Sequence, residues 1–205
     1  DGFAGHAEQL QAAETAARKG YELAPDDPKV LAYLAITLLW VGQPVEALVY
    51  AERAVALSPS YAEGQVYYGD ILIHNARSRD AIPHIEKAIR LTPNEPQLGM
   101  YYTMLGEAYL HHGAFDTAEQ ALIQSNRFFR DSNQLAMRYL AAAQLGLGKS
   151  DAAAQTLLQA QALLPERPIA FEADTMAFYS IDGGGEVFIP LWQDLSQLQA
   201  DAGRP

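Results

Sequence analysis

Three prolines at a fixed interval constrain the fold of this 205-residue chain more than any other feature. Pro25, Pro59 and Pro93 stand 34 residues apart, and each closes a similar string: ELAP, ALSP or RLTP. A period of about 34 residues is typical of a solenoid built from helix–turn–helix units. Because such a unit buries its apolar face only against its neighbours, the chain is predicted to form a row of stacked helices.

Small residues recur at matching offsets in four successive units. On the first helix of each unit they are Ala35, Gly69, Gly106 and Ala141, and on the second helix they are Ala47, Ala81, Ala118 and Ala153. Two antiparallel helices approach closely only where such small side chains face each other. Gly42, Gly113 and Gly148 suit a helix end with positive φ, so they mark the turn between the two helices of a unit.

This pattern resembles the tetratricopeptide repeat over roughly residues 6–165. The tryptophan position of that family is filled by Leu31, Gln65, Tyr102 and Met137. The resemblance implies an all-α fold, a right-handed α-solenoid of helix–turn–helix repeats with a C-terminal capping segment. We expect the array to span residues 1–165, with a partial repeat at 1–27 and repeats at 28–61, 62–98, 99–133 and 134–167.

Residues 168–205 depart from the pattern, and we expect a degenerate repeat followed by a capping helix. Pro190 precedes leucines at helical spacing, namely Leu191, Leu195 and Leu198, which favours a terminal helix. The alternative is a short hairpin that pairs residues 175–181 with 186–189 across an Asp-Gly turn.

Charge and composition exclude several classes of partner. The chain has 14 basic and 25 acidic residues, a formal charge of −11, which argues against nucleic acid or an anionic membrane as the main partner. It has no cysteine, which excludes disulfides and thiolate metal sites. The sequence shows no apolar run of about 18 residues and no signal peptide, so we expect a cytoplasmic protein without membrane insertion.

Two local strings resemble functional motifs but fit the repeat pattern better. Gly146-Leu147-Gly148-Lys149-Ser150 matches the end of a phosphate-binding loop, yet Ala143 replaces the earlier glycine that such a loop needs. The adjacent His111 and His112 diverge by about 100° on a helix, so they do not form a chelating pair. No nucleophile–base constellation stands out, and we therefore expect no catalytic site, no metal and no cofactor.

The family resemblance also implies a binding surface. Tetratricopeptide repeats line a concave groove with positions 2, 5, 9, 12 and 13 of the first helix. The partner-binding groove predicted on this basis consists of Lys29, Ile36, Leu39, Trp40, Val66, Asp70, Ile73, His74, Met100, Thr103, Glu107, Leu110, His111 and Arg138. Trp40 is the strongest anchor, because an exposed indole offers a large and rigid contact area. The alternative is that these residues pack against neighbouring repeats or the C-terminal segment.

The groove residues also indicate which partner would bind. Repeat position 9 carries Ile36, Asp70, Glu107 and Ala142. Chaperone-binding repeats use lysines and asparagines to clamp the terminal carboxylate of a peptide, and the two carboxylates here would instead repel it. We therefore expect a protein or peptide partner that is neutral or basic.

These observations predict a non-enzymatic scaffold that docks a peptide or helical segment of another protein in its groove. One alternative is self-association into a homodimer, through a helix face left open at the N-terminal end or through the C-terminal cap. Another is a sensory or regulatory arm, because the string from Ala88 to Pro93 and the stretch from Tyr101 to Tyr109 resemble the C-terminal repeat arrays of bacterial adenylate cyclases and winged-helix regulators.

Overall fold

The computed structural model describes residues 2–163 and 193–198, with side chains from residue 8 onward. The first of these ranges forms nine helices: α1 (Gly2–Leu23), α2 (Pro28–Trp40), α3 (Pro44–Leu57), α4 (Ala62–His74), α5 (Ser78–Leu91), α6 (Leu98–His111), α7 (Phe115–Phe129), α8 (Gln134–Gly146) and α9 (Ser150–Leu163). Residues 193–198 are also helical, and neither described range contains a strand. The predicted all-α fold class is confirmed.

The helices form two layers. Helix α2 packs on α3, α4 on α5, α6 on α7 and α8 on α9, and α1 packs on α2. We call α2, α4, α6 and α8 the inner helices, because each contacts the next inner helix. The outer helices α3, α5, α7 and α9 have no comparable contacts with one another in the described residues. The inner layer is therefore the more tightly spaced, and the stack curves so that the inner helices form its concave face.

Glycines allow the close approach of inner and outer helices that the sequence predicts. A Cβ atom on Gly69 would lie 2.5 Å from Ile85 Cγ1, and one on Gly106 would lie 2.4 Å from Leu122 Cγ. The facing alanines of the outer helices are Ala47, Ala81, Ala118 and Ala153, and all four are fully buried. The two positions at which only glycine fits between the helices, Gly69 and Gly106, therefore set the register of the repeat.

The turns inside the units also follow the sequence, with one exception. Gly42, Gly113 and Gly148 have φ values of 81°, 76° and 73°, as expected for glycine at the end of an inner helix. In the second unit the same turn is made by Ala76, with a φ of 57°. An alanine thus adopts the left-handed conformation that glycine adopts in the other three units.

Connections between the units vary in length. The connections between α3 and α4 (58–61) and between α7 and α8 (130–133) have four residues each, whereas the connection between α5 and α6 (92–97) has six. Where the pattern lacks a proline, Arg130 and Asp131 end α7 with φ values of 50° and 54°. The inner helices begin at Pro28, Ala62, Leu98 and Gln134. The division into domains stays a prediction.

Only part of the C-terminal segment lies in the described residues. Within residues 193–198, Leu195 is buried in a core cluster that also contains Leu110, Met137 and Tyr139, and Leu198 packs against the same cluster. The two alternatives predicted for this segment were a degenerate repeat and a hairpin that pairs residues 175–181 with 186–189. These residues lie outside the described ranges. None of the described helices combines the length and apolar character that a membrane crossing requires.

Candidate functional site

Every residue of the predicted groove lies on an inner helix, but the residues differ widely in exposure. Three are exposed: Lys29, Trp40 and Met100. Three are half-buried: Ile36, His74 and Arg138. The remainder are buried: Leu39, Val66, Asp70, Ile73, Thr103, Glu107, Leu110 and His111. The accessible part of the predicted site is therefore smaller than the repeat pattern implies, and partner binding at these positions stays a prediction.

The buried apolar members of this set are core residues. Leu39, Val66 and Ile73 belong to the larger core cluster, which includes residues of α2, α4 and α6. Thr103 faces an outer helix, since its Oγ1 lies 2.7 Å from Ser125 Oγ on α7. The close spacing of the inner helices explains the burial of Leu39, Val66 and Ile73, because these side chains pack against a neighbouring inner helix instead of lining a groove.

Polar residues that are buried or half-buried form a row along α4 and α6. We call Asp70, His74, Glu107 and His111 the carboxylate–histidine row. Each histidine follows its carboxylate by four residues and so lies on the same helix face. His74 Nδ1 is 2.8 Å from the Asp70 carbonyl oxygen and 3.3 Å from Asp70 Oδ1. His111 Nε2 is 3.9 Å from Glu107 Oε1.

The two histidines of the row differ in protonation. Burial alone would lower the pKa of His74, but the Asp70 carboxylate, its hydrogen bonds and the more distant Glu107 outweigh burial and raise the pKa to about 9. Burial and the charge on His74 lower the pKa of His111 to about 3. At neutral pH the row therefore contains one imidazolium and one neutral imidazole.

A residue outside the predicted set completes the row. The Tyr139 hydroxyl on α8 donates a hydrogen bond to Glu107 Oε1 at 2.8 Å, and Tyr139 is itself buried. A buried tyrosine usually finds a partner for its hydroxyl, which is the signal that could have identified it. Within residues 2–163 and 193–198, no group of three His, Cys, Asp or Glu side chains is arranged to hold a metal ion.

A second polar cluster lies near the N-terminal ends of α2 and α4. We call Tyr33, Tyr61, Glu63 and Tyr67 the tyrosine rim. The Tyr61 and Tyr33 hydroxyls both donate to Glu63 Oε2, at 2.6 Å and 3.3 Å. The Tyr33 and Tyr67 rings lie 6.0 Å apart between centroids, and burial raises the pKa of Tyr67 to about 12. The four residues of the tyrosine rim connect two consecutive repeats on the side of the inner helices.

Trp40 is the most exposed aromatic group of the predicted site. It ends α2, and 66% of the residue is accessible, although indoles usually bury most of their surface. Ile36, one turn earlier on the same helix, is half-buried. The two residues provide an accessible apolar edge on the inner helix α2.

The likeness to known proteins is structural. No protein-family profile matches the chain, and no curated protein matches its sequence. TTC0263, described as a thermophilic TPR protein of Thermus thermophilus, superposes with a TM-score of 0.66 at 19% identity, covering 95% of this chain and 93% of that one.

Two further solved structures have the same fold. A chain of the APC/C hetero-tetramer Cut9–Hcn1 gives a TM-score of 0.68 at 17% identity, covering 97% of this chain and 36% of that one. MamA, residues 41 to the end, from Desulfovibrio magneticus RS-1 gives 0.65 at 18% identity, covering 81% and 93%. At these identities the likeness establishes the fold, and the chain is an α-solenoid of the tetratricopeptide-repeat type.

Proposed function

We propose that this chain is a protein-interaction scaffold that holds a peptide or helical segment of a partner against its inner helices. The fold supports the general role, because solenoids of this kind present extended concave surfaces for binding. The observation that carries the proposal is the exposure of Trp40 at the end of the inner helix α2. Tryptophan residues supply much of the binding energy of many interfaces once a partner buries them.

The partner is neutral or basic. The whole chain carries a formal charge of −11, although on the inner helices Glu63, Asp70 and Glu107 are balanced by Lys29, Arg138 and the imidazolium of His74. The negative field that a partner meets at a distance therefore comes from the chain as a whole. Opposite charges steer association and like charges suppress wrong partners. An acidic segment would therefore associate slowly with this chain, and a basic one rapidly.

The chain acts by binding and not by catalysis. Histidine–carboxylate pairs serve as general acids and bases in enzymes when they reach a substrate. Here Asp70, Glu107 and His111 are each at most 8% exposed, so a substrate would not reach them. The carboxylate–histidine row instead supplies a fixed charge pattern beneath the binding face.

A peptide selected on the intact chain tests this function. Peptides from a displayed library are selected on the immobilised protein, and the affinity of the best binder is measured for wild type, Trp40→Ala and Leu57→Ala. Leu57 is a matched control, because it is 50% exposed but lies on the outer helix α3. We expect Trp40→Ala to weaken binding by at least about 1 kcal/mol, roughly fivefold, and Leu57→Ala to leave it unchanged. Equal affinities for all three proteins would refute the proposed function.

A further inference from the structure

A depression at the edge of the concave face has the chemistry of a cation site. Its volume is about 370 Å³, and it lies between the N-terminal end of α4, the end of α5 and the start of α6. The residues that matter for its chemistry are Tyr61, Glu63, Glu95 and Tyr101, and Leu91 and Thr92 contribute to its wall. None of its lining residues is basic. An anion would therefore meet two carboxylates, and the one cation that the structure places against a lining ring is Lys29 beside Tyr61.

The carboxylate of Glu63 is held in place through hydrogen bonds to one of its two oxygens. The hydroxyls of Tyr61 and Tyr33 both donate to Oε2, at 2.6 Å and 3.3 Å. These two bonds orient the carboxylate and leave the acceptor capacity of Oε1 for a ligand. A carboxylate fixed in this way loses little conformational entropy on binding, which favours affinity.

Two phenol rings line the same depression. Tyr101 is 5% exposed, and burial together with Glu63 and Glu95 raises its pKa, so the hydroxyl stays neutral at physiological pH. The face of an aromatic ring attracts cations within about 6 Å of its centroid. The ammonium group of Lys29 lies 6.0 Å from the centroid of Tyr61, so a cation of this chain already approaches that ring.

We propose that this depression is a subsite for the guanidinium group of an arginine in the bound partner. The inference rests on the proposed function and specifies one contact within it. A guanidinium group is planar, stacks on aromatic rings and presents a fork of N–H donors that matches a carboxylate. Two carboxylates and two tyrosine rings around one depression provide both kinds of contact. A lysine ammonium would use the carboxylates but would lack the stacking and the paired donors.

The site is tested with arginine itself as the probe. The intact isotope-labelled protein is titrated with N-acetyl-arginine amide, and backbone amide shifts are followed by NMR. We expect saturable shifts in residues 61–63 and 92–101. N-acetyl-citrulline amide, which is nearly isosteric but uncharged, should give no saturable shifts. N-acetyl-lysine amide should bind several-fold more weakly than the arginine probe.

Charge-neutral variants locate the contact. Glu63→Gln and Glu95→Gln should each weaken the arginine probe by about fivefold or more. Glu22→Gln is the matched control, because it removes the same charge from an exposed position on α1. Circular dichroism confirms that each variant is folded. Equal binding of arginine and citrulline probes, equal binding of arginine and lysine probes, or unchanged affinity in both variants would overturn the assignment.

Failure of the subsite is distinguishable from failure of the scaffold function. The selected peptide reports on Trp40, whereas the arginine probe reports on residues 61–63 and 92–101. If the peptide depends on Trp40 while the arginine probe causes no saturable shift, the subsite is wrong and the scaffold function stands. If the arginine probe binds as expected while no selected peptide depends on Trp40, the scaffold function is wrong and the depression is a cation site of the free chain.

Discussion

At the scale of single residues, glycines set the distance between the two layers of helices, because their side chain is a single hydrogen atom. Gly69 and Gly106 face Ile85 and Leu122, both of which are fully buried. A buried side chain in close contact on all sides has no room to move away from an added atom. The positions of these two glycines therefore define the crossing of the inner and outer helices in two successive repeats.

Replacing Gly106 by leucine should separate α6 from α7. Overpacking a core costs about 1–3 kcal/mol, and here a Cβ alone would lie 2.4 Å from Leu122 Cγ, so we expect a loss near or above that range. Ala56→Leu is the control, because Ala56 is exposed on α3 and should tolerate leucine within about 0.5 kcal/mol. Urea unfolding of the two variants measures the difference. Indistinguishable midpoints would show that the helices do not cross at Gly106.

The two buried histidines should make stability depend on pH in opposite directions. His74 has a folded pKa of about 9, above its ordinary value of 6.5, so its stabilising effect is complete below pH 6.5 and is lost as the pH rises towards 9. His111 has a folded pKa of about 3, so the unfolded chain binds its proton first and stability falls as the pH drops below 6.5. These two groups alone give a maximum near pH 6.5.

Thermal unfolding of wild type and His74→Gln over pH 5–9.5 measures this predicted dependence of stability on pH. The fall in stability above pH 6.5 should be much smaller in the variant than in wild type. NMR titration of the imidazoles provides the independent readout, with His74 titrating near pH 9 and His111 neutral throughout. Parallel stability profiles for the two proteins would contradict the protonation assigned to His74.

At the scale of helices, each element depends on its neighbours for burial. Each inner helix packs against the helices before and after it in the chain and against a neighbouring inner helix, so the inner helices are the most deeply buried. At the end of the stack, the helical residues 193–198 place Leu195 in the cluster formed by α6 to α9. A repeat of a solenoid needs a neighbouring element to bury its apolar face, and residues 193–198 supply part of one here.

Shortening Leu195 should destabilise the end of the stack. Leu195→Ala removes a side chain from a residue that is 3% exposed, and such changes cost about 2–5 kcal/mol. Leu158→Ala is the matched control, because Leu158 on α9 is 49% exposed. Hydrogen exchange of α8 and α9 measures the effect locally. Unchanged protection in Leu195→Ala would mean that residues 193–198 do not cover the last repeat.

The sequence predicts the elements better than it predicts the accessible surface. Helix ends were predictable because Pro28 and Gly42 have strong local preferences that need no knowledge of neighbours. The left-handed Ala76 was not, since alanine shows no such preference and only the surrounding turn requires it. Exposure at Asp70 and Glu107 was not predictable either, because it depends on how closely the inner helices pack.

At the scale of the whole molecule, the curvature of the stack and its charge together define the binding face. The inner helices lie on the concave side, and Trp40 and Glu63 both belong to inner helices. The chain as a whole is acidic, with a charge of −11. The proposed neutral or basic partner segment would lie along the inner helices.

Photo-crosslinking from defined positions tests most directly that the partner binds to the inner helices. A photoreactive phenylalanine analogue is placed at Met100 on the inner helix α6 or at Leu158 on the outer helix α9, which are 43% and 49% exposed. The selected peptide is then added and illuminated. The scaffold function predicts crosslinked peptide from position 100 and none from position 158. Crosslinking from position 158 alone would contradict it and assign binding to the convex face.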